Sequence, residues 1–126
     1  MYTRGIGNLG ERIAENYLRK KKYQILDKNY IFRIPGSPQK GEIDIVAKKE
    51  DIISFIEVKS IRGLSSIDPE EKVNFSKQRK LRMTAESWLM KKKIPLNSKW
   101  QIDVIAIKIG DKKVEVSHFE NAIGYE

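Results

Sequence analysis

Residues 41–59, GEIDIVAKKEDIISFIEVK, limit what this chain can fold into more than any other stretch. Two β-branched runs, 42–47 and 52–60, flank a polar turn at 48–51 and predict a β-hairpin. Side chains alternate along a strand, so Glu42 and Asp44 are expected on one face, and Phe55, Glu57 and Lys59 also share a face. Ile43, Ile45, Ile56 and Val58 take the opposite, apolar positions. Such a hairpin gathers Asp44, Glu57 and Lys59 into a small volume. Carboxylates held that close resist ionisation unless a cation joins them. Mg²⁺, which accepts one or two carboxylates and keeps several waters, suits such a donor set. The competing reading is a solvated strand face carrying alternating charges.

The spacing D-(x)n-E-x-K resembles the PD-(D/E)xK nuclease core, carried here by Asp44, Glu57 and Lys59. Ile43 stands where that pattern has its proline.

Composition narrows the alternatives. A chain of 126 residues with 40% hydrophobic content suits one domain with a modest core. The absence of cysteine excludes disulfides and thiolate metal sites, and a lone histidine, His118, excludes the usual multi-histidine zinc sites. No apolar run has the length of a signal peptide or a membrane span, so a soluble cytoplasmic protein with no membrane partner is expected. A net charge of +8, from 25 basic and 17 acidic residues, favours a polyanion partner, chiefly nucleic acid.

Residues 8–22 predict a first helix with Asn8 as N-cap and an apolar stripe through Leu9, Ile13, Tyr17 and Leu18. Glu11 reads either as a first-turn acid or as a carboxylate presented to the hairpin. Glu15, one turn on, competes for the second role. Residues 23–34 predict a strand bent at 27–29, and Pro35-Gly36-Ser37-Pro38 ends it. Arg33 and Lys40 flank that loop with positive charge. Residues 60–69 read as irregular. Asp68-Pro69 then opens a second helix to about Lys92, with Leu81, Ala85, Trp88 and Leu89 facing the core. Its other side carries Lys77, Arg79, Lys80, Arg82 and Lys91–Lys93 with few acids to pair them, which suits a phosphate-facing surface. Gln78 could reach a phosphate or a metal-bound water. Residues 100–109 and 113–119 predict a final hairpin, in which the buried-patterned Asp103 is expected to pair with a basic neighbour.

The order of elements is similar to the restriction-endonuclease-like α/β fold, a mixed central β-sheet flanked by helices, here as one domain over residues 1–126. More closely, the chain resembles the YraN family of small bacterial proteins, which are themselves similar to archaeal Holliday-junction resolvases. The residues that carry this are Gly10-Glu11 with Ala14 and Leu18, Asn29 with Arg33, Gly41-Glu42-Ile43-Asp44, and Glu57-Val58-Lys59. Further along they are Lys77-Gln78 with Leu81, Ala85 and Trp88-Leu89, then Asp103-Val104 and Asn121-Ala122. Two departures are the inserted IPGSPQ loop after Arg33 and the delay of the basic residue after Glu57-Val58-Lys59 to Arg62.

The resemblance implies metal-assisted phosphodiester hydrolysis. Asp44, Glu57 and the Val58 carbonyl would hold Mg²⁺ or Mn²⁺, Lys59 would orient the attacking water, and Glu11 would be a further ligand or water-positioning group. Arg33, Lys40, Arg62, Lys77, Gln78, Arg79 and Lys80 are the expected nucleic-acid contacts, with DNA, branched DNA included, as substrate. The resolvase-like relatives act as dimers, so a homodimer is an implied arrangement, although no dimer face is legible. The alternatives are a nuclease-like module that holds nucleic acid without cutting it and an adaptor whose basic surface meets an acidic protein.

Overall fold

A computed structural model describes residues 4–62 and 75–122. The described elements are α1 (Arg4–Lys20), β1 (Gln24–Arg33), β2 (Lys40–Lys49), β3 (Ile52–Arg62), α2 (Phe75–Lys91), β4 (Trp100–Ile109) and β5 (Val114–Phe119). The expected helix start at Asp68-Pro69 lies outside the described residues.

The strands form one sheet of five in the order β1-β2-β3-β4-β5. β3 and β4 are parallel, and the other neighbours are antiparallel. A parallel pair needs a long crossover, and α2 lies within it. The two helices cover opposite faces. Leu81, Ala85, Trp88 and Leu89 of α2 pack on Ile43, Val46, Ile53, Phe55 and Ile102. Ala14 and Leu18 of α1 pack on Ile45, Ala47, Ile56, Ile105 and Ile107. With both faces covered, the central strands are apolar nearly throughout, which is why Phe55 is fully buried rather than part of a polar face.

Three local expectations are corrected. First, α1 already begins at Arg4, so Asn8 is inside the helix and cannot cap it. The first-turn reading of Glu11 goes with it. Second, Leu9, expected in the apolar stripe, is exposed; Ile13 and Tyr17 join the core with Ala14 and Leu18. Third, strict alternation fails in the hairpin. Ile43 and Val46 lie in the α2 cluster, whereas Ile45 and Ala47 lie in the α1 cluster. The phase therefore changes at residues 44–45. The neighbouring strand changes phase at the same level: Lys28 reaches Glu15 of α1, Tyr30 packs on the α2 cluster, and Asn29 between them has φ 55°. Asparagine tolerates that left-handed conformation better than most residues.

Two residues beyond the end of each helix stands a lysine in the left-handed region, Lys22 (φ 74°) and Lys93 (φ 59°). The amide after each, Tyr23 and Ile94, donates back to Leu18 and Leu89, at 3.0 and 2.9 Å. The inserted loop closes as a type II turn, with Pro35 at its second position, Gly36 (φ 75°) at its third, and Ser37 N–H donating to Ile34 O at 3.1 Å.

α2 sits tightly over the start of β2. A Cβ on Gly41 would collide with the Thr84 hydroxyl and lie 3.1 Å from Thr84 Cβ and 3.4 Å from Lys80 O. Thr84 is fully buried, and its hydroxyl is tied to Lys80 O at 2.7 Å, so it cannot turn aside. Gly41→Ala should therefore cost about 1–3 kcal/mol in urea denaturation. An unchanged midpoint would show that α2 is free to lift.

Candidate functional site

The site begins where β2 and β3 part. Their pairing stops at Ile45↔Ile56, although β2 extends back to Lys40 and β3 onward to Arg62. In a continued antiparallel ladder the Val58 N–H would face the backbone of β2. Instead it donates to Asp44 Oδ2 at 2.7 Å. A strand N–H lies in the sheet plane, so the Asp44 carboxylate occupies the gap between the strands rather than either face. The phase change at 44–45 is what turns it there. The N–H and C=O of one strand residue point the same way, so the Val58 carbonyl also faces this gap.

Other acids surround Asp44. Burial, opposed by the Val58 hydrogen bond and reinforced by the charges of Glu11, Glu57 and Glu42, pushes its carboxyl up to about 7. Glu11 itself is raised, first by burial and then by Glu42, with Lys28 opposing. The sequence left Glu11 and Glu15 in competition, and the structure separates them. Glu15 is tied to Arg19 at 2.9 Å and Lys28 at 3.1 Å, while Glu11 interacts with the hairpin acids. Both line, with Asp44 and Asn29, an open cavity of about 470 Å³.

Glu57 Oε1 pairs with Lys59 Nζ at 3.1 Å, with the Glu57 side chain 12% and the Lys59 side chain 27% exposed. The structure thus brings together Glu11, Asp44, Glu57, Lys59 and Val58. The donor set is entirely hard oxygen, two of its acids are held above their usual range, and a backbone carbonyl faces the gap. These features fit Mg²⁺ or Mn²⁺.

The expected nucleic-acid contacts divide. Arg33 and Lys40 sit opposite each other at the tip of the β1–β2 hairpin, and Lys40 is 3.9 Å from Glu42. Gln78, Arg79 and Lys80 belong to the first turns of α2, over Gly41 and hence at the Asp44 end of β2. The backbones of Arg62 and Lys77 end β3 and open α2, but their side chains lie outside the described ones.

Asp103 does pair with a basic neighbour, and more fully than expected. It is completely buried and accepts from His118 Nε2 at 2.8 Å, Gln101 Nε2 at 3.0 Å and Asn121 N–H at 2.9 Å. His118 Nδ1 meets the Tyr17 hydroxyl at 3.1 Å. Ligand-type atoms of Asp103, His118 and Glu120 lie within 4.8 Å of one another, but those of Asp103 are already committed to these donors. The network links β4, β5 and α1; its tie to α1, through Tyr17 and His118, was not legible in the sequence because those two residues stand at opposite ends of the chain.

The model of the uncharacterised protein family UPF0102 matches residues 10–107. The chain belongs to this family. It is the family identified above as YraN. The matched span includes Glu11, Asp44, Glu57 and Lys59 and stops before His118. Curated UPF0102 proteins are similar along most of their length. One from Alkaliphilus oremlandii is 39% identical over 93% of this chain and 96% of its own. One from Clostridium perfringens is 40% identical over 96% and 95%. One from Clostridium tetani is 50% identical over 74% and 71%. Among the described residues of this UPF0102 chain, no helix is long and apolar enough to cross a membrane.

Proposed function

We propose that this protein is a divalent-metal-dependent phosphodiester hydrolase acting on DNA, branched DNA included, on a restriction-endonuclease-like fold. The supporting observation is the parting of β2 and β3, which places Asp44 against the Val58 backbone beside Glu57, Lys59 and Glu11. Asp44, Glu57 and the Val58 carbonyl would hold Mg²⁺, which when bound supplies polarisation of the scissile phosphate and acidification of a water. Lys59, held by Glu57, would orient the attacking water and offset developing negative charge. Glu11 has its carboxyl raised and can take or return a proton at the mouth of the cleft. The Val58 N–H fixes Asp44 through Oδ2, and Oδ1 would then be the oxygen offered to a metal.

The basic turns of α2 supply phosphate contacts. Changing Lys77, Arg79 and Lys80 together to alanine should weaken DNA binding and flatten its salt dependence, by roughly 0.9 in the log–log slope for each phosphate left unneutralised. An unchanged slope would place the DNA elsewhere.

Labelled linear, flapped and four-way DNAs incubated with Mg²⁺ or Mn²⁺ test the activity. Metal-dependent cleavage lost in Asp44→Asn supports the reading. Tight, salt-sensitive binding with no cleavage of any substrate would leave a module that holds DNA without cutting it.

A further inference from the structure

A second cavity, of about 400 Å³, opens on the α1 face at the far end of the hairpin. Its residue Lys21 follows α1, and Glu11 of the cleft is ten residues earlier. At the helical rise that separation is about 15 Å. None of its lining residues belongs to the acidic cleft.

The walls are aromatic and firmly placed. Tyr17 is fixed by its hydroxyl against His118 and packs edge-on to the imidazole at 5.5 Å. Tyr23 donates to Glu120 Oε1 at 3.4 Å. At the rim, Lys21 Nζ lies 6.0 Å from the Tyr17 ring centre, and Lys49 Nζ lies 5.2 Å from that of Tyr23. The floor holds Ser54, 1% exposed, whose hydroxyl can donate and accept. Gln101 beside it spends an amide hydrogen on Asp103, which leaves its carbonyl oxygen as an acceptor. Glu120 adds a carboxylate acceptor, and the exposed Glu50 a second acid at the edge.

We propose that this cavity binds one nucleoside monophosphate unit whose base carries an exocyclic amine. The chemistry matches part by part. A planar base fits against tyrosine faces. The amine is met by the acceptors Glu120 and Gln101, as carboxylates accept from cytosine N4 and amides from adenine N6. The Ser54 hydroxyl donates to a ring nitrogen or carbonyl. The two lysines at the rim meet the phosphate, while Glu50 and Glu120 together balance their charge and disfavour a bare anion. The site is separate from the proposed hydrolytic cleft and does not depend on it.

Titration of the full-length protein with dCMP, dAMP, dTMP and inorganic phosphate, in EDTA and followed by amide NMR, tests this. dCMP and dAMP should shift Ser54, Lys49, Gln101 and Glu120 at the same concentrations, with dTMP at least five-fold weaker and phosphate ten-fold weaker. Lys49→Ala, at the rim, should weaken dCMP at least five-fold with an otherwise native spectrum. Asp44→Asn should leave binding unchanged, so loss of cleavage and loss of this site are told apart. Absence of shifts at these residues at millimolar dCMP, shifts confined to the Asp44 cleft, or equal affinity for phosphate alone would each overturn the proposal.

Discussion

Asp44→Asn should raise the melting temperature of the metal-free protein at pH 8 while abolishing both its Mg²⁺-induced stabilisation and any cleavage. An aspartate in the unfolded chain titrates near 3.8, whereas burial and the charges of Glu11, Glu57 and Glu42 push Asp44 up to about 7 in the fold. Below pH 4 both states hold the proton and the site carries no penalty. As pH rises from 4 through 7 the unfolded chain releases its proton first, so the fold loses stability. Above pH 7 the loss is complete, with an upper bound of about 4 kcal/mol for a shift of this size. Asparagine carries no charge and keeps an acceptor oxygen for the Val58 N–H, so its fold escapes most of that loss. A gain of about 1–4 kcal/mol at pH 8 is expected, against almost none at pH 4, and each kcal/mol is roughly 4 °C in a domain of this size. The wild type should recover stability when Mg²⁺ is added, and the variant should not. Melts of both proteins at the two pH values, with and without Mg²⁺, decide. A variant that melts lower at pH 8 and keeps the full Mg²⁺ shift would make Asp44 a structural acid and remove it from the chemistry.

The sequence made parts of this site readable and hid others for identifiable reasons. Asp44, Glu57 and Lys59 stand in a short hairpin, so local spacing brings them together without long-range information. The helical spacing of Leu81, Ala85, Trp88 and Leu89 likewise placed the core face of α2, because a 3.6-residue period survives in the order of residues alone. The turn at Asn29 and Asp44 was hidden. It leaves apolar residues at 43, 45, 46 and 47, so nothing in the pattern shows that two face one helix and two the other. That turn is nevertheless what carries Asp44 into the gap. The start of α1 was misplaced because Asn8 imitates a cap; four further helical residues precede it. The Asp103 network and the tyrosine-walled cavity draw on elements from both ends of the chain, and no local spacing encodes such meetings.

Asp103→Ala should have the opposite outcome to Asp44→Asn and lose about 3–5 kcal/mol. Both aspartates are removed from water, yet their surroundings differ in sign. Asp44 has one donor and three acids around it; Asp103 has three donors, from Gln101, His118 and Asn121. Alanine would leave those donors facing an apolar gap, and each buried polar group without a partner costs about 1–3 kcal/mol, less whatever water recovers. The damage should spread along the network. Asn121 N–H bonds Asp103 while Ala122 N–H bonds Ile102 O at 2.9 Å, so Asn121 and Ala122 are held to β4 through this point. His118, no longer oriented, would release the Tyr17 hydroxyl and with it α1. Asp103→Asn should fall between, because it retains one acceptor oxygen but sets an amide against a donor. Urea midpoints of the two variants, with proteolysis near the C-terminal end as a second readout, provide the test. Wild-type stability in Asp103→Ala, together with loss of a Mg²⁺-induced shift that Asp44→Asn retains, would move the metal from the β2–β3 gap to the group formed by Asp103, His118 and Glu120, whose ligand atoms lie within 4.8 Å.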